Sequence, residues 1–225
     1  YEATDTYQTA RGPEEHYVDQ SIQPGDGGWG FTAEMFAYRQ LTDRLSVYGQ
    51  AYYLFSPEEV NGVSSRASNV RGRTYQRLLN DVAAGTAGAA GRLAAAQALG
   101  YDNYRSLEDQ MSITDQYLGR AGVSFMLVKK FGLALSLGTR LEGVPAEDVI
   151  GNSDGFRRPG YAVSIEPGIS MMHGRYSASI LAPVALYRNR VASVADERWG
   201  QIAGTGTQPG DAAYADYVIT ATFGI

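Results

Sequence analysis

Apolar and polar residues alternate with a period of two along several long segments of this chain. Between Gly28 and Gln40 the odd positions from Trp29 and Phe31 to Ala37 are apolar, and the even positions include Glu34 and Gln40. Successive side chains of a β-strand point to opposite faces, so this period predicts strands with two unlike faces. The alternation returns in six further segments, 45–55, 117–127, 131–140, 161–171, 176–186 and 216–223. The chain is therefore predicted to be all-β, with seven antiparallel strands.

The connections between these strands alternate in length. LTDR, KK and HG are minimal turns, whereas residues 57–116, 144–159 and 189–212 are long. In an antiparallel sheet this alternation places the tight turns at one end and the long loops at the other. We call these the short-turn end and the long-loop end.

The first long connection contains a segment with helical character. Thr74–Leu99 is rich in alanine and leucine and is interrupted by glycine, which predicts one or two helices. We therefore expect a helical insertion at about 64–112 within a β domain that covers residues 28–225. Residues 1–27 are predicted to be a polar loop or an incomplete N-terminal part.

Two prolines fall inside predicted strands, where each removes a backbone donor from the ladder. With a two-residue turn at His173 and Gly174, Pro167 and Pro183 would lie near each other on neighbouring strands. A shared bulge would leave both strands intact, whereas a break would divide one of them. The sequence leaves both interpretations open.

The alternation alone does not distinguish a membrane barrel from a soluble β-sandwich. The positions of the aromatic residues along the strands favour the membrane barrel. Mainly Ala, Val, Leu, Ile and Met occupy the apolar face between two belts of aromatic residues. The belt at the long-loop end contains Trp29, Phe31, Tyr53, Phe55, Tyr117 and Tyr161, and the belt at the short-turn end contains Phe125, Phe131, Tyr176 and Phe223. Such belts are typical of strands that cross lipid. Since bacterial single-chain barrels have even strand numbers, seven strands predict part of a larger transmembrane β-barrel.

The opposite face carries more charge than a small packed core tolerates. Its charged residues are Glu34, Arg120, Arg140, Glu142, Glu166, Arg175 and Asp216. Because unpaired buried charge is costly, this face should line a wet lumen or hold an ion-pair network. Two hypotheses stand equally: the charges select what passes, or they neutralise one another and make a narrow barrel rigid.

Other functional classes have little support in the sequence. The net charge is −5 and the 19 Lys and Arg residues are scattered along the chain, which argues against nucleic acid as a partner. There is no cysteine, and His16 and His173 fall at opposite ends of the predicted barrel, so we expect no catalytic pair and no enzyme activity. The glycines of PGDGGWGF precede a strand instead of a helix, which excludes a phosphate loop. Turn chemistry accounts for PGDGG and GNSDG, so no metal or cofactor is expected.

Several motifs resemble a known family. VDQSIQPGDGGWGF, DQYLGRAG, EGVP, SDGFRRPGYAVSIEPG and VALYRNR are similar to the C-terminal part of bacterial outer-membrane β-barrel transporters related to the meta-pathway phenol-degradation family. The similarity covers residues 18–56 and 115–220. It implies an outer-membrane barrel with further strands upstream and a role in moving small molecules, aromatic or hydrophobic ones among them. The insertion at 64–112 is longer than this family leads one to expect, and Ile225 stands where an aromatic residue is typical.

The sequence therefore predicts a passive outer-membrane channel, with lipid and a small solute as its partners. Its C-terminus would be periplasmic and its long loops extracellular. The first alternative is a non-transporting barrel that serves assembly or surface interaction, with an oligomeric or envelope partner bound through the helical insertion. The second is a soluble secreted β-barrel that binds a small ligand.

Overall fold

The computed structural model describes residues 4–9, 12–17, 27–64, 78–98, 110–203, 206–207 and 214–225. The protein is mostly antiparallel β-sheet, with 54% strand and 16% helix. Its strands are β1 Thr4–Thr9, β2 Gly12–Tyr17, β3 Phe31–Gln40, β4 Leu45–Phe55, β5 Val60–Ser64, β6 Gln110–Ser112, β7 Gln116–Val128, β8 Leu133–Val144, β9 Gly160–His173, β10 Tyr176–Leu181, β11 Val184–Arg190 and β12 Thr220–Gly224. Helices span Ala89–Ala98 and Val194–Ala203, residues 78–83 are also helical, and Lys129–Phe131 form a 3-10 turn. None of the helices among the described residues is long and apolar enough to cross a membrane.

One eight-stranded sheet dominates the molecule. Its strands follow the order β12-β10-β9-β8-β7-β4-β3, with β11 also paired to β9. Counting β10 and β11 as one position, each strand of this sheet lies beside the sheet strand that precedes or follows it in the chain, and every pairing is antiparallel. Two small ribbons, β1-β2 and β5-β6, stand apart from this sheet.

Pro183 divides one of the seven predicted strands into β10 and β11. Both pieces pair with β9, β10 through residues 168–173 and β11 through residues 160–165. Pro167 stays within β9, and its carbonyl oxygen accepts a hydrogen bond of 3.0 Å from the backbone N–H of Ala182. Of the two interpretations of the prolines, the break is therefore confirmed, and it falls at Pro183.

Among the described residues the sheet curls into half a barrel, and its edge strands β3 and β12 do not pair with each other. Tyr38 and Gln40 of the edge strand β3 and Thr222 of the edge strand β12 line the same cavity of about 380 Å³. Six antiparallel junctions separate these two edges, counting β10 and β11 as one position, so β3 and β12 run in the same direction. They cannot pair antiparallel with each other. To close this sheet into a barrel with antiparallel neighbours throughout, an odd number of further strands would have to lie between β3 and β12. These strands could belong to the same protein or to another one.

On the central strands β7, β8 and the first half of β9, the polar face of the sheet is the more buried one. Along β9, Ala162, Ser164 and Glu166 are buried, while the apolar residues that alternate with them are more accessible. The same contrast holds on β8, where Leu135 and Leu137 of the apolar face are 46% and 51% exposed. A soluble sheet buries its apolar face against a core, so this sheet has the opposite arrangement.

The connections differ from the sequence analysis in three places. The β9-β10 turn consists of Gly174 and Arg175, one residue later than predicted, because Tyr176 pairs with His173 and Gly174 supplies the positive φ of 60° that a tight hairpin requires. Part of segment 1–27 is the β1-β2 hairpin instead of a loop, in keeping with the high strand propensity of its Thr and Tyr residues. The predicted loop 189–212 contains the helix Val194–Ala203. Of the insertion at 64–112, the structure describes 78–98 and the two ends, which form the β5-β6 ribbon.

Tyr48 covers two glycines on the polar face. It lies opposite Gly122 in the β4-β7 register, and Gly122 lies opposite Gly138 in the β7-β8 register. A Cβ added to Gly122 or Gly138 would lie 2.6 or 2.5 Å from the Tyr48 hydroxyl, and would also approach backbone atoms. An aromatic ring that fills the space over strand glycines restores packing that glycine itself lacks. This contact ties β4 to β8 across β7.

We predict that Gly138→Ala destabilises the sheet by about 1–3 kcal/mol, because the new methyl group displaces the Tyr48 ring. Gly119→Ala on β7 is the matched control, since an added Cβ there meets nothing within 4 Å and should be neutral or slightly stabilising. Tyr48→Phe in the Gly138→Ala background should recover part of the loss. Urea unfolding followed by circular dichroism measures all three, and equal losses at both glycines would contradict the packing role.

Candidate functional site

Four of the seven charged residues predicted on the polar face form one cluster near the middle of the sheet. Arg120 on β7 lies directly opposite Arg140 on β8, and Glu142 follows Arg140 by two residues on the same face. Glu166 on β9 lies opposite Gly138. Gly138 has no side chain, and Tyr48 occupies the space above it.

Glu166 is fully buried between the two arginines. Its Oε1 lies 3.3 Å from Nη1 of Arg120, and its Oε2 lies 3.6 Å from Nη1 of Arg140. Nη2 of Arg140 also donates to Oε2 of Glu142 at 2.5 Å. Two like charges directly opposite on neighbouring strands repel, so Glu166 compensates a repulsion that the register imposes. Two cations and two anions make the net charge of the cluster zero.

Some of the cluster's hydrogen-bonding capacity is unused. Among the described residues, Nε of Arg120, Nε of Arg140 and Oε2 of Glu166 are buried without a hydrogen-bond partner. The guanidinium of Arg120 also lies 5.9 Å from the centre of the Tyr48 ring, which places a cation over an aromatic face. The parts of the cluster that stay accessible are the side chains of Arg120, Arg140 and Glu142, at 23%, 24% and 35%.

The other three predicted residues lie outside this cluster. Oε1 of Glu34, on the edge strand β3, accepts a hydrogen bond from Nε2 of Gln50. Asp216 is exposed and forms an ion pair with Arg188. Arg175 lies in the β9-β10 turn, where its guanidinium is 5.4 Å from the centre of the Tyr176 ring. The one-residue shift of this turn moves Arg175 from the predicted strand to the short-turn rim.

A second buried polar network, which the sequence analysis missed, joins the loops at the long-loop end. Both Nη atoms of Arg157 donate to the Asp148 carboxylate, at 2.9 and 2.5 Å, and Nη2 also donates to Oγ of Ser112 at 2.8 Å. The backbone N–H of Asp115 donates to Oδ1 of Asp148 at 2.9 Å. Asp115 is fully buried and in turn accepts from the Tyr53 hydroxyl and from the backbone N–H groups of Ser56 and Val149. We call Asp115, Asp148 and Arg157, with these partners, the loop-end network.

The helix Val194–Ala203 begins with a reciprocal cap that the sequence does signal. The N–H of Asp196 donates to Oγ of Ser193, and the N–H of Ser193 donates to Oδ2 of Asp196, both at 3.1 Å. A serine followed three residues later by an acid is the pattern of a helix start. One residue of this helix, Arg198, forms an ion pair of 3.2 Å with Asp154, so the acid of the GNSDG motif has a cationic partner.

Tyr214 lies beside the polar face near the long-loop end. Together with Glu142, Ser164 and Asp216 it lines a small cleft. Burial, with smaller contributions from Tyr117 and Glu142, raises the pKa of Tyr214 to about 12. Its hydroxyl is therefore neutral at physiological pH, and it is buried without a hydrogen-bond partner among the described residues.

The aromatic residues predicted at the belts pair across neighbouring strands. At the long-loop end the rings of Phe31 and Phe55 stack at 4.9 Å, and the Tyr161 and Tyr187 rings lie 6.0 Å apart. At the short-turn end the Tyr176 and Phe223 rings stack at 6.4 Å. Trp29, Phe31, Phe131, Tyr176 and Phe223 are exposed, while Tyr53, Phe55, Tyr117 and Tyr161 are half-buried.

We predict that Glu166→Gln destabilises the protein by about 3–5 kcal/mol, because it leaves Arg120 and Arg140 facing each other without a counter-charge. Asp43→Asn is the matched control, since it breaks the exposed Lys129–Asp43 pair and should change stability by no more than about 1 kcal/mol. Denaturant unfolding measures both variants. Similar effects of the two would show that Glu166 does not hold the arginines together.

We predict that Arg157→Met opens the loops at the long-loop end, because it leaves the Asp148 carboxylate buried and unpaired. Limited proteolysis with a chymotrypsin-type protease should then cleave segment 144–159 at least tenfold faster. Arg158→Met makes the same change one residue later, outside the loop-end network, and should have a smaller effect. Unchanged protection in Arg157→Met would refute the role of the loop-end network.

Comparison of the chain with protein-family models, with curated proteins and with solved structures found no match. The resemblance to the outer-membrane transporter family therefore stays a prediction. Any function has to be inferred from the inverted faces of the sheet and from the charge cluster on its buried side.

Proposed function

We propose that this chain forms part of an outer-membrane β-barrel that acts as a passive channel for small molecules. The observation that carries the proposal is the inverted sheet, with its charged face buried and its aliphatic face exposed. Exposing a continuous aliphatic surface to water is unfavourable, whereas lipid is a solvent for it. The aliphatic face would contact lipid and the charged face would line the lumen.

The dimensions of the sheet support a membrane-spanning role. β3, β4, β7, β8 and β9 contain 10 to 14 residues each. A tilted strand needs ~9–11 residues to cross the hydrocarbon core. Exposed aromatic residues occur near both ends of these strands, where amphipathic rings favour the lipid–water interfaces. The free edges β3 and β12 would be closed by an odd number of further strands.

The charge cluster supports transport of a polar or ionic solute. Arg120, Arg140, Glu142 and Glu166 would form a transverse field across the lumen. The side chains of Arg120, Arg140 and Glu142 are 23–35% accessible and could replace part of a solute's hydration. The cavity of about 380 Å³ at the short-turn end lies on the same face and is large enough for a small molecule.

The loop-end network favours a second candidate, a barrel that does not transport. It fixes segments 112–115 and 144–157 to the end of β4 through buried hydrogen bonds. Loops held in this way would close the long-loop end of a lumen. The barrel would then present its loops and the helical insertion to a partner in the envelope.

We predict that the wild-type protein conducts ions in planar lipid bilayers and that the cluster sets the sign of its selectivity. Because the cluster is neutral, Arg120→Gln or Arg140→Gln leaves a net charge of −1 and should raise cation selectivity. Glu166→Gln leaves +1 and should shift the reversal potential in the opposite direction. Arg39→Gln, on the apolar face of β3 opposite Val47, changes the total charge equally and should leave selectivity unchanged.

Three results would contradict this proposal. Absence of current from protein that has inserted into the bilayer would favour the non-transporting barrel. Equal selectivity in Arg120→Gln, Glu166→Gln and the control would show that the cluster lies outside the conduction path. Solubility without detergent, with no insertion into vesicles, would favour a soluble ligand-binding protein.

A further inference from the structure

The basic residues of the short-turn end form one continuous rim, although they are far apart in the sequence. The three turns are 41–44, 129–132 and 174–175. Nζ of Lys129 lies 3.2 Å from Oδ2 of Asp43 and joins the first two turns. Nδ1 of His173 lies 3.3 Å from the carbonyl oxygen of Lys130, and the His173 and Phe131 rings are 5.5 Å apart, which joins the second turn to the third.

This end of the sheet is strongly positive. Arg39, Arg44, Lys129, Lys130 and Arg175 lie at or beside the three turns, and we call these five residues the basic rim. Asp43 is the one acidic residue among the described residues of these three turns. The five cations and this anion give the short-turn end a net charge of +4. The whole chain carries −5, which leaves −9 for the remainder. The short-turn end is therefore positive in a chain whose net charge is negative.

The basic rim borders exposed aromatic residues. Nζ of Lys130 lies 5.6 Å from the centre of the Phe131 ring, and the Arg175 guanidinium lies 5.4 Å from the centre of the Tyr176 ring. Phe125, Phe131 and Tyr176 are each 43–45% exposed on the apolar face directly beside the turns. Long basic side chains beside interfacial rings keep their charged ends at the level of lipid headgroups.

We propose that the basic rim binds the phosphate groups of an anionic phospholipid leaflet at the short-turn end of the sheet. The inference rests on the proposed membrane barrel and adds a lipid specificity to it. Arginine and lysine both bind phosphate through charge-assisted hydrogen bonds. Charge alone would be enough to bind a soluble polyanion. The band of exposed rings and aliphatic side chains next to the basic rim favours a lipid surface, which offers both phosphate groups and apolar chains.

The chain contains a native reporter for this contact. Its only two lysines are Lys129 and Lys130, so an uncharged acetylating reagent modifies the basic rim and, separately, the N-terminal amine. Phosphate contact should slow acetylation of the two lysines at least threefold in vesicles of phosphatidylcholine and phosphatidylglycerol, relative to phosphatidylcholine alone. Mass spectrometry of the peptides gives both rates.

Arg198→Lys supplies the internal control, because it places a reporter lysine on a helix of the long-loop end. Equal slowing of that lysine would indicate a general surface-potential effect and would overturn the proposal. Inorganic phosphate added to neutral vesicles should give no protection. Protection equal to that in anionic vesicles would identify a site for free phosphate instead of a lipid surface.

A charge variant tests the same inference without the reporter. Lys129→Gln, Lys130→Gln and Arg175→Gln together should lower the preference for anionic over neutral vesicles by at least about fivefold in flotation assays, since each basic residue near an anionic surface contributes roughly that factor. Arg92→Gln, Arg158→Gln and Arg198→Gln make the same charge change elsewhere and should leave most of the preference. Equal preferences in the two variants would refute lipid binding by the basic rim.

Whether the protein inserts into vesicles at all distinguishes a failure of this inference from a failure of the proposed function. Protein that inserts into neutral and anionic vesicles with equal lysine reactivity would retain the barrel and exclude the lipid contact. Protein that inserts into neither kind of vesicle would overturn the barrel as well.

Discussion

Arg120 and Arg140 lie directly opposite each other on β7 and β8, and without a counter-charge their repulsion would oppose the pairing of these central strands. Glu166 on β9 supplies that charge from a fully buried position. The three strands at the middle of the sheet are therefore joined by their backbone ladders and by one ionic contact. The same contact lies on the polar face, which is the interior of the half-barrel. With that face occupied by charge, the aliphatic face is left outward.

Glycines determine where this cluster can form. Gly122 and Gly138 leave the space that Tyr48 fills, and Gly138 also lies opposite Glu166. A larger residue at Gly138 would push the Tyr48 side chain away from the sheet. At the long-loop end, the buried loop-end network holds irregular backbone in place through hydrogen bonds, as buried polar groups require. The two ends thus differ: fixed loops at one, a basic rim of short turns at the other.

Much of the sheet follows from local pattern. The alternation along residues 28–40 and 45–55 predicted β3 and β4 because the period of two is an intrinsic property of a strand. The Ser193–Asp196 cap was also readable and was missed. The position of Arg175 could not be predicted from the sequence, since it depends on which of two neighbouring residue pairs makes the tight turn. The loop-end network brings Asp115 together with Asp148 and Arg157, which lie more than 30 residues later in the chain. A single sequence contains no local signal for a contact over that separation.

The sequence by itself determined the two unlike faces, the alternation of short and long connections and the residues that carry charge. Each of these features depends only on residues that are close together in the chain. Only the tertiary structure decided which charges share a cluster, which face is buried and that scattered basic residues form a single rim. These depend on strand register and on the curl of the sheet, which bring together side chains that lie far apart along the chain.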